Sequence, residues 1–399
     1  MTKFRILAVM SALVLAFPLF AQKEQFNPVY TGVTSLSIAP DARAGALGDV
    51  GAATEPDVNS QYWNPAKYPF NIARAGVSMS YTPWLRQLVS DIDLVNLVGF
   101  YRIGDYSAVS GSLTYFSLGQ VLVENEMTIK PYEMAVDVSY SRMLSETFSA
   151  AISLRYILSD LQYNYEEDMS AGNAFAADIA LYYNKYLMMG GRECLLGLGL
   201  NASNIGTKIS YDGGATNQFI PTNLRLGASL LIPIDEYNTI AISADVNKLM
   251  VPTRPTYSQF MSEEYADVQS GDAQYNSYYS EYQTWLESNG YNDISPISGI
   301  FKSFADAPGG FSEELKEIYA GVGIEYCYNQ QFSVRGGYHY ENEYKGNRKY
   351  FTLGAGFRMS VFSLDAAYLI STAQSNPLDQ TLRFSLSFDM DGLKDLFRR

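Results

Sequence analysis

Residues 148–159 read Phe-Ser-Ala-Ala-Ile-Ser-Leu-Arg-Tyr-Ile-Leu-Ser, and residues 382–389 read Leu-Arg-Phe-Ser-Leu-Ser-Phe-Asp. In the first stretch Phe148, Ala150, Ile152, Leu154, Tyr156 and Leu158 fall on one side of an extended chain. Ser149, Ala151, Ser153, Arg155 and Ser159 fall on the other, with Ile157 the one large apolar exception. In the second, Leu382, Phe384, Leu386 and Phe388 alternate with Arg383, Ser385, Ser387 and Asp389. A period of two is the period of a β-strand. In water such strands turn the apolar side into a core. In a bilayer they turn it to lipid and keep the polar side in a lumen, and there only a closed barrel satisfies every backbone group.

The alternation runs from about residue 73 to 390, and the connections choose between the two solvents. Tight turns are expected at Ile103-Gly104-Asp105, Ser145-Glu146, Met189-Gly190-Gly191, Asp235-Glu236, Asn329-Gln330 and near Ser360. Longer connections lie between them at 83–91, 119–132, 162–173, 204–220, 251–314, 344–348 and 372–379. Outer-membrane barrels alternate short periplasmic turns with longer external loops. A soluble sandwich has no reason to keep that rhythm. The pattern predicts an all-β fold, a transmembrane antiparallel β-barrel of about 14 strands over residues 73–390.

The N-terminus predicts export. Lys3 and Arg5 precede an apolar run, Ile6 to Phe20, and Ala21 is a small residue at a plausible cleavage point. This reads as a signal peptide over residues 1–21; the competing reading, a membrane anchor, suffers from the shortness of the run. Residues 22–72 do not alternate and are rich in Gly, Ala, Pro and Asp, too apolar for a free tail and too irregular for strands. They are expected inside the barrel as a plug. Residues 391–399 read as a polar C-terminal tail.

Composition narrows the chemistry. The 399 residues include 32 Tyr, 21 Phe and 31 Gly, with a formal charge of -14. The mean hydropathy of -0.10 is unremarkable, as it is for barrels whose strands are half polar. The Tyr excess suits aromatic girdles at the two membrane interfaces, and the acidity argues against nucleic acid as a partner. Cys194 and Cys327 are not expected to form a disulfide. His339 is the only histidine, which excludes a multi-histidine metal site. It shares the lumenal face with Arg335 and Glu341, so Glu341 could orient it as a base. A hydrolase also needs a nucleophile beside it, and no Gly-x-Ser-x-Gly elbow, Walker loop, metal-ligand spacing or dinucleotide fingerprint occurs. The expectation is no enzyme, no catalytic residue, no metal and no cofactor.

Two segments carry candidate sites. In the plug, Asp41 and Arg43 could form a buried pair, Gly45 and Gly48 let the backbone pass close to the wall, and Asn64-Pro65-Ala66 fixes a turn. In the connection 251–314, Tyr257, Tyr275, Tyr278, Tyr279, Tyr282 and Trp285 cluster near an acidic stretch. Such aromatics can form a protein-binding surface; the bland alternative is a solvated lid. Ser312-Glu313-Glu314 begins a short helical turn.

The segment Ser37-Ile38-Ala39-Pro40-Asp41-Ala42-Arg43-Ala44-Gly45-Ala46-Leu47-Gly48-Asp49, followed by Ser60-Gln61-Tyr62-Trp63-Asn64-Pro65-Ala66-Lys67-Tyr68, resembles the start of the PorV family. Its members are outer-membrane barrels of the type IX secretion system of Bacteroidota, and the resemblance extends over the whole mature chain. Asn64-Pro65-Ala66 is also similar to the plug motif of FadL-type transporters, whose barrel the PorV family shares. The polar end at Arg399 departs from the usual strand-terminal Phe. The resemblance implies a shuttle located in the outer membrane among lipids and lipopolysaccharide. It would bind the C-terminal domains of secreted cargo at the type IX translocon barrel. It would then hand them to the sortase PorU and the other attachment-complex subunits. Two other functions stay open: FadL-like transport of a hydrophobic compound, and lipid A deacylation through His339.

Overall fold

The computed structural model of the chain describes residues 26–86, 89, 91–122, 128–162, 169–214, 217–268, 274–288, 290–291, 293–359, 361–372 and 378–390. The expected signal peptide, residues 22–25 of the expected plug and the polar tail 391–399 lie outside them.

Fourteen antiparallel strands close into one barrel. In chain order they are Ala75–Pro83, Asp93–Ile103, Ser107–Ser117, Tyr132–Ser145, Phe148–Asp160, Gly172–Met189, Arg192–Gly206, Asn223–Pro233, Asn238–Leu249, Ile318–Tyr328, Phe332–Tyr340, Lys349–Arg358, Phe362–Ser371 and Leu382–Asp389. Each pairs with its sequence neighbour, and the first pairs with the last from Gly76 opposite Asp389 to Tyr81 opposite Phe384. No edge is left to template another chain. One feature escaped the alternation pattern: a small antiparallel pair, Val121–Leu122 with Thr128–Ile129, whose arms of two residues are too short to show a period.

The faces are inverted relative to a soluble protein. On Phe148–Asp160 the exposed residues are Ile152, Leu154 and Tyr156, while Ser149, Ser153, Arg155 and Ser159 are buried. On Leu382–Asp389, Leu382, Phe384 and Leu386 face outward and Arg383, Ser385 and Ser387 face inward. Apolar surface around a closed wall is stable only against lipid, so this is the fold of an outer-membrane barrel. Ile157, the exception on the polar face, packs inward against Val33, Ala174, Ile209 and Ile220. It is apolar because its neighbour in the lumen is protein, not water.

Part of that protein, through Val33, is the N-terminal segment. Residues 26–71 fold as short turns and helices within the lumen, including Ala42–Gly45, Ser60–Trp63 and the 3-10 turn Pro65–Phe70. The wall carries small residues where the plug passes. A Cβ on Gly199 would stand 2.1 Å from the Ala52 carbonyl oxygen. From the plug side Gly48 has φ of +77°, and a Cβ there would meet the Tyr338 backbone at 2.7 Å. Only glycine meets both demands at that position without strain.

The connection at 251–317 is a folded helical subdomain, not the loop with one helical turn that the sequence suggested. It contains helices Tyr257–Glu264, Tyr279–Ser288, Pro296–Lys302 and Phe311–Lys316. Its last turn is pinned to the barrel rim: Lys248 Nζ donates to Glu314 at 3.0 Å and Glu317 at 2.6 Å, and Lys345 Nζ donates to Glu313 at 2.5 Å and Glu317 at 3.1 Å.

Candidate functional site

The lumen is built from polar strand faces and plug groups that satisfy one another. Arg43 donates to Glu325 at 3.0 and 3.3 Å, to Asp57 at 2.9 Å and to the Glu55 carbonyl at 3.2 Å. Glu325 also accepts from Arg335, which donates to Asp365 at 2.6 Å. The expected Asp41–Arg43 pair does not form. Side chains two residues apart at a helix start point to different sides. Asp41 instead caps its helix, accepting from the Ala44 amide at 2.9 Å, and accepts from the Trp63 indole.

Further along, Asp245 accepts from the amides of Gly51 and Ala52 at 2.8 and 2.9 Å. Asn64 donates to the carbonyls of Ala52 and Leu181, both at 2.9 Å, and its side-chain oxygen accepts from the Ala66 amide at 3.0 Å. Pro65 opens the 3-10 turn, and Ala66 packs on Ala151 and Tyr182. A Cβ on Gly45 would collide with the Arg383 guanidinium. The seven plug residues singled out in the sequence are all buried.

His339 offers no catalytic arrangement. Its ring stacks on Tyr350 at 4.8 Å and 5°, and Nδ1 lies 3.3 Å from the Gly48 carbonyl. Glu341 does not orient it, because Arg348 holds that carboxylate at 2.8 and 2.9 Å. Among the described residues no hydroxyl or thiol is hydrogen-bonded to the imidazole.

The aromatic residues of the helical subdomain make its core. Phe260, Met261, Tyr282 and Leu286 are buried, with Tyr257, Tyr275, Tyr278 and Trp285 packed around them. The Tyr282 hydroxyl donates to the Pro255 carbonyl at 2.6 Å, and the Tyr257 hydroxyl donates to the Tyr275 carbonyl. The sequence expectation that these rings face a partner is therefore corrected: of the six, only Tyr279 is exposed. These eight residues in 257–286 gain more by burying one another than by facing water. The apolar surface that remains lies on the next two helices, where Phe301 and Phe311 are 75% and 77% exposed and Ile297, Phe304 and Leu315 are exposed with them. Ile297, Phe301 and Phe304 follow helical spacing, a signal visible in the sequence but outweighed there by the tyrosines. Beside this face, burial pushes the Asp306 carboxyl up to about 6 and the Tyr291 hydroxyl up to about 12.

Sequence reasoning also passed over a lumenal cavity. Tyr62, Asn96, Asp137, Arg155, Asn204, Asn223, Arg225 and Tyr319 line it, and its water-sized space is about 40 Å³. Apart from Tyr62 these residues lie on strands, where each looks like any other inward position.

The sequence profile of the family described as "Type IX secretion system protein PorV" matches residues 20–256, more than half of the chain. Among curated proteins no sequence matches it. Several crystal structures are similar in fold. The Pseudomonas putida toluene transporter TodX is 10% identical with a TM-score of 0.48, covering 91% of this chain and 99% of its own. The Ralstonia pickettii toluene transporter TbuX is 12% identical with a TM-score of 0.43, covering 92% and 98%. A FadL homologue of Pseudomonas aeruginosa is 12% identical with a TM-score of 0.43, covering 91% and 99%.

Proposed function

This chain belongs to the PorV family of type IX secretion system proteins, and from that premise we propose that it is the outer-membrane carrier of secreted cargo. In this reading it binds the C-terminal domain of cargo at the translocon barrel. It then delivers the cargo to the sortase and attachment subunits at the cell surface. It works as a binding protein and not as an enzyme or a conduit.

The observation that carries the reading is the pairing of a filled lumen with a folded external subdomain. A protein-sized substrate has no route through a barrel whose interior is crossed by the Arg43–Glu325 and Asp245–Gly51 contacts. Partners must then be met on the outside. There the subdomain offers Ile297, Phe301, Phe304, Phe311 and Leu315, all exposed. Exposed aromatic anchors of this kind carry most of the energy of many interfaces. Transport of a hydrophobic compound draws less support, since Asn, Asp and Arg side chains share the wall of the lumenal cavity with Leu36, Ile38 and Pro221.

The test is co-purification after gentle detergent extraction. Phe301→Ser with Phe311→Ser is expected to leave barrel levels unchanged and to lower recovery of the translocon or of cargo C-terminal domains at least tenfold. Unchanged recovery of both would move the contact away from this face.

A further inference from the structure

Arg225 is out of character with the rest of the lumen. Arg43, Arg155, Arg335, Arg348 and Arg383 each meet at least one carboxylate. Arg225 is 8% exposed and forms no ion pair among the described residues. Its single hydrogen bond runs from Nε to Asn247 Oδ1 at 2.8 Å. The guanidinium carbon lies 4.5 Å from the ring centroid of Trp63 and 5.2 Å from that of Tyr62. Asp245 lies within reach of its charge but forms no ion pair with it: one oxygen is held by the amides of Gly51 and Ala52, and the other makes no hydrogen bond among the described residues. Aromatic faces attract a cation without neutralising it. A buried guanidinium whose Nη groups make no ion pair is an incompletely satisfied charge.

The surroundings show where a counter-charge would enter. Arg225 lines the cavity. Asn223 and Tyr319, which also line it, stand at the ends of strands that come down from long connections. The opposite half of the lumen is filled by the Pro65–Phe70 turn, where Tyr68 packs on Phe100 and Ala108. The cavity therefore sits at the external end. Its 40 Å³ of water-sized space holds about three waters, the room one carboxylate group needs. The other charges on its wall are matched: Arg155 pairs with Asp137 and Asp178. The Nη edge of a guanidinium takes a carboxylate through two parallel hydrogen bonds.

We propose that Arg225, stacked on Tyr62 and Trp63, is the receptor of a single carboxylate group presented from the external side. The group is carried either on a small free acid or on the end of a polypeptide. The site does not rest on the cargo reading, and loss of cargo capture would leave it standing.

The experiment uses the full chain in detergent and radiolabelled acetate in equilibrium dialysis. Saturable binding of one acetate per barrel is expected, weakened at least tenfold by Arg225→Gln. No saturable binding, or binding untouched by Arg225→Gln, overturns the site. Should Arg225→Gln fail to accumulate, a chain with Trp84→Phe and Trp285→Phe decides alone. There Trp63 fluorescence should change saturably with acetate, and a flat response overturns the proposal. Displacement by a tetrapeptide acid but not by its C-terminal amide assigns the group to a polypeptide end. Equal or absent displacement by the two assigns it to a small free acid.

Discussion

Replacing Arg43 with Met keeps the length of the side chain and removes its charge from the centre of the plug. The substitution strips Glu325 and Asp57 of a partner each. Breaking a buried ion pair from one side costs about 3–5 kcal/mol. Here the lower end applies, because Glu325 keeps Arg335 and Asp57 keeps the Ser60 hydroxyl at 3.0 Å. The loss falls on docking of the plug and not on the wall, whose strands are held by their own ladder of backbone bonds. About 3 kcal/mol is roughly a hundredfold in an equilibrium constant. Hydrogen exchange in detergent micelles measures it directly. Protection of the Ala44, Gly51 and Ala52 amides should fall about a hundredfold, while amides in Asn238–Leu249 and Ile318–Tyr328 keep theirs. If plug protection is unchanged, or if wall and plug lose protection together, the ion network is not what holds the plug.

Gly199→Ala places a methyl group against the Ala52 carbonyl, a backbone contact that cannot rotate away. A destabilisation of about 2 kcal/mol is expected, read as a lower midpoint of plug release with the barrel's own melting unchanged. Acidification should tighten the external subdomain. Burial raises Asp306 from its ordinary 3.8 to about 6, so its ionised form opposes folding above about pH 6, and that penalty fades as the pH falls toward 3.8. Melting followed by Trp285 fluorescence should shift upward between pH 7.5 and pH 5. In Asp306→Asn the shift should be absent or clearly smaller, and an equal shift would assign the effect to another group.

The barrel was legible because a period of two, repeated between tight turns, survives without knowledge of partners. All fourteen strands fall where alternation places them, and the rhythm of short and long connections chose lipid over water as the outer solvent. Arg43 was harder. Its partner Glu325 stands 282 positions away, and no local pattern announces a pairing across that distance. The tyrosines of the external subdomain misled for a related reason. A residue type enriched at interfaces is also one that packs well on itself, and only the fold of helices Tyr257–Glu264 and Tyr279–Ser288 decides between the two uses. Arg225 was invisible because inward arginines are ordinary in a polar lumen. What sets it apart is that it forms no ion pair, and that is a property of the neighbours.

The anchoring points of the plug have a consequence for the order of assembly. The Ala42 amide donates to Ser385 at 2.9 Å, the Gly48 amide to Thr352 at 2.9 Å, and Gln61 to Asp137 and Ser139. These acceptors are spread from the fourth strand to the last. The segment nearest the N-terminus therefore cannot find its seat until nearly the whole wall exists, and closing contacts at such separations is slow. The earliest part of the chain is the last to become native. A wall that closes ahead of it leaves Asp245 without the Gly51 and Ala52 amides at its centre until the N-terminal segment seats, so closure of the barrel comes before completion of its interior.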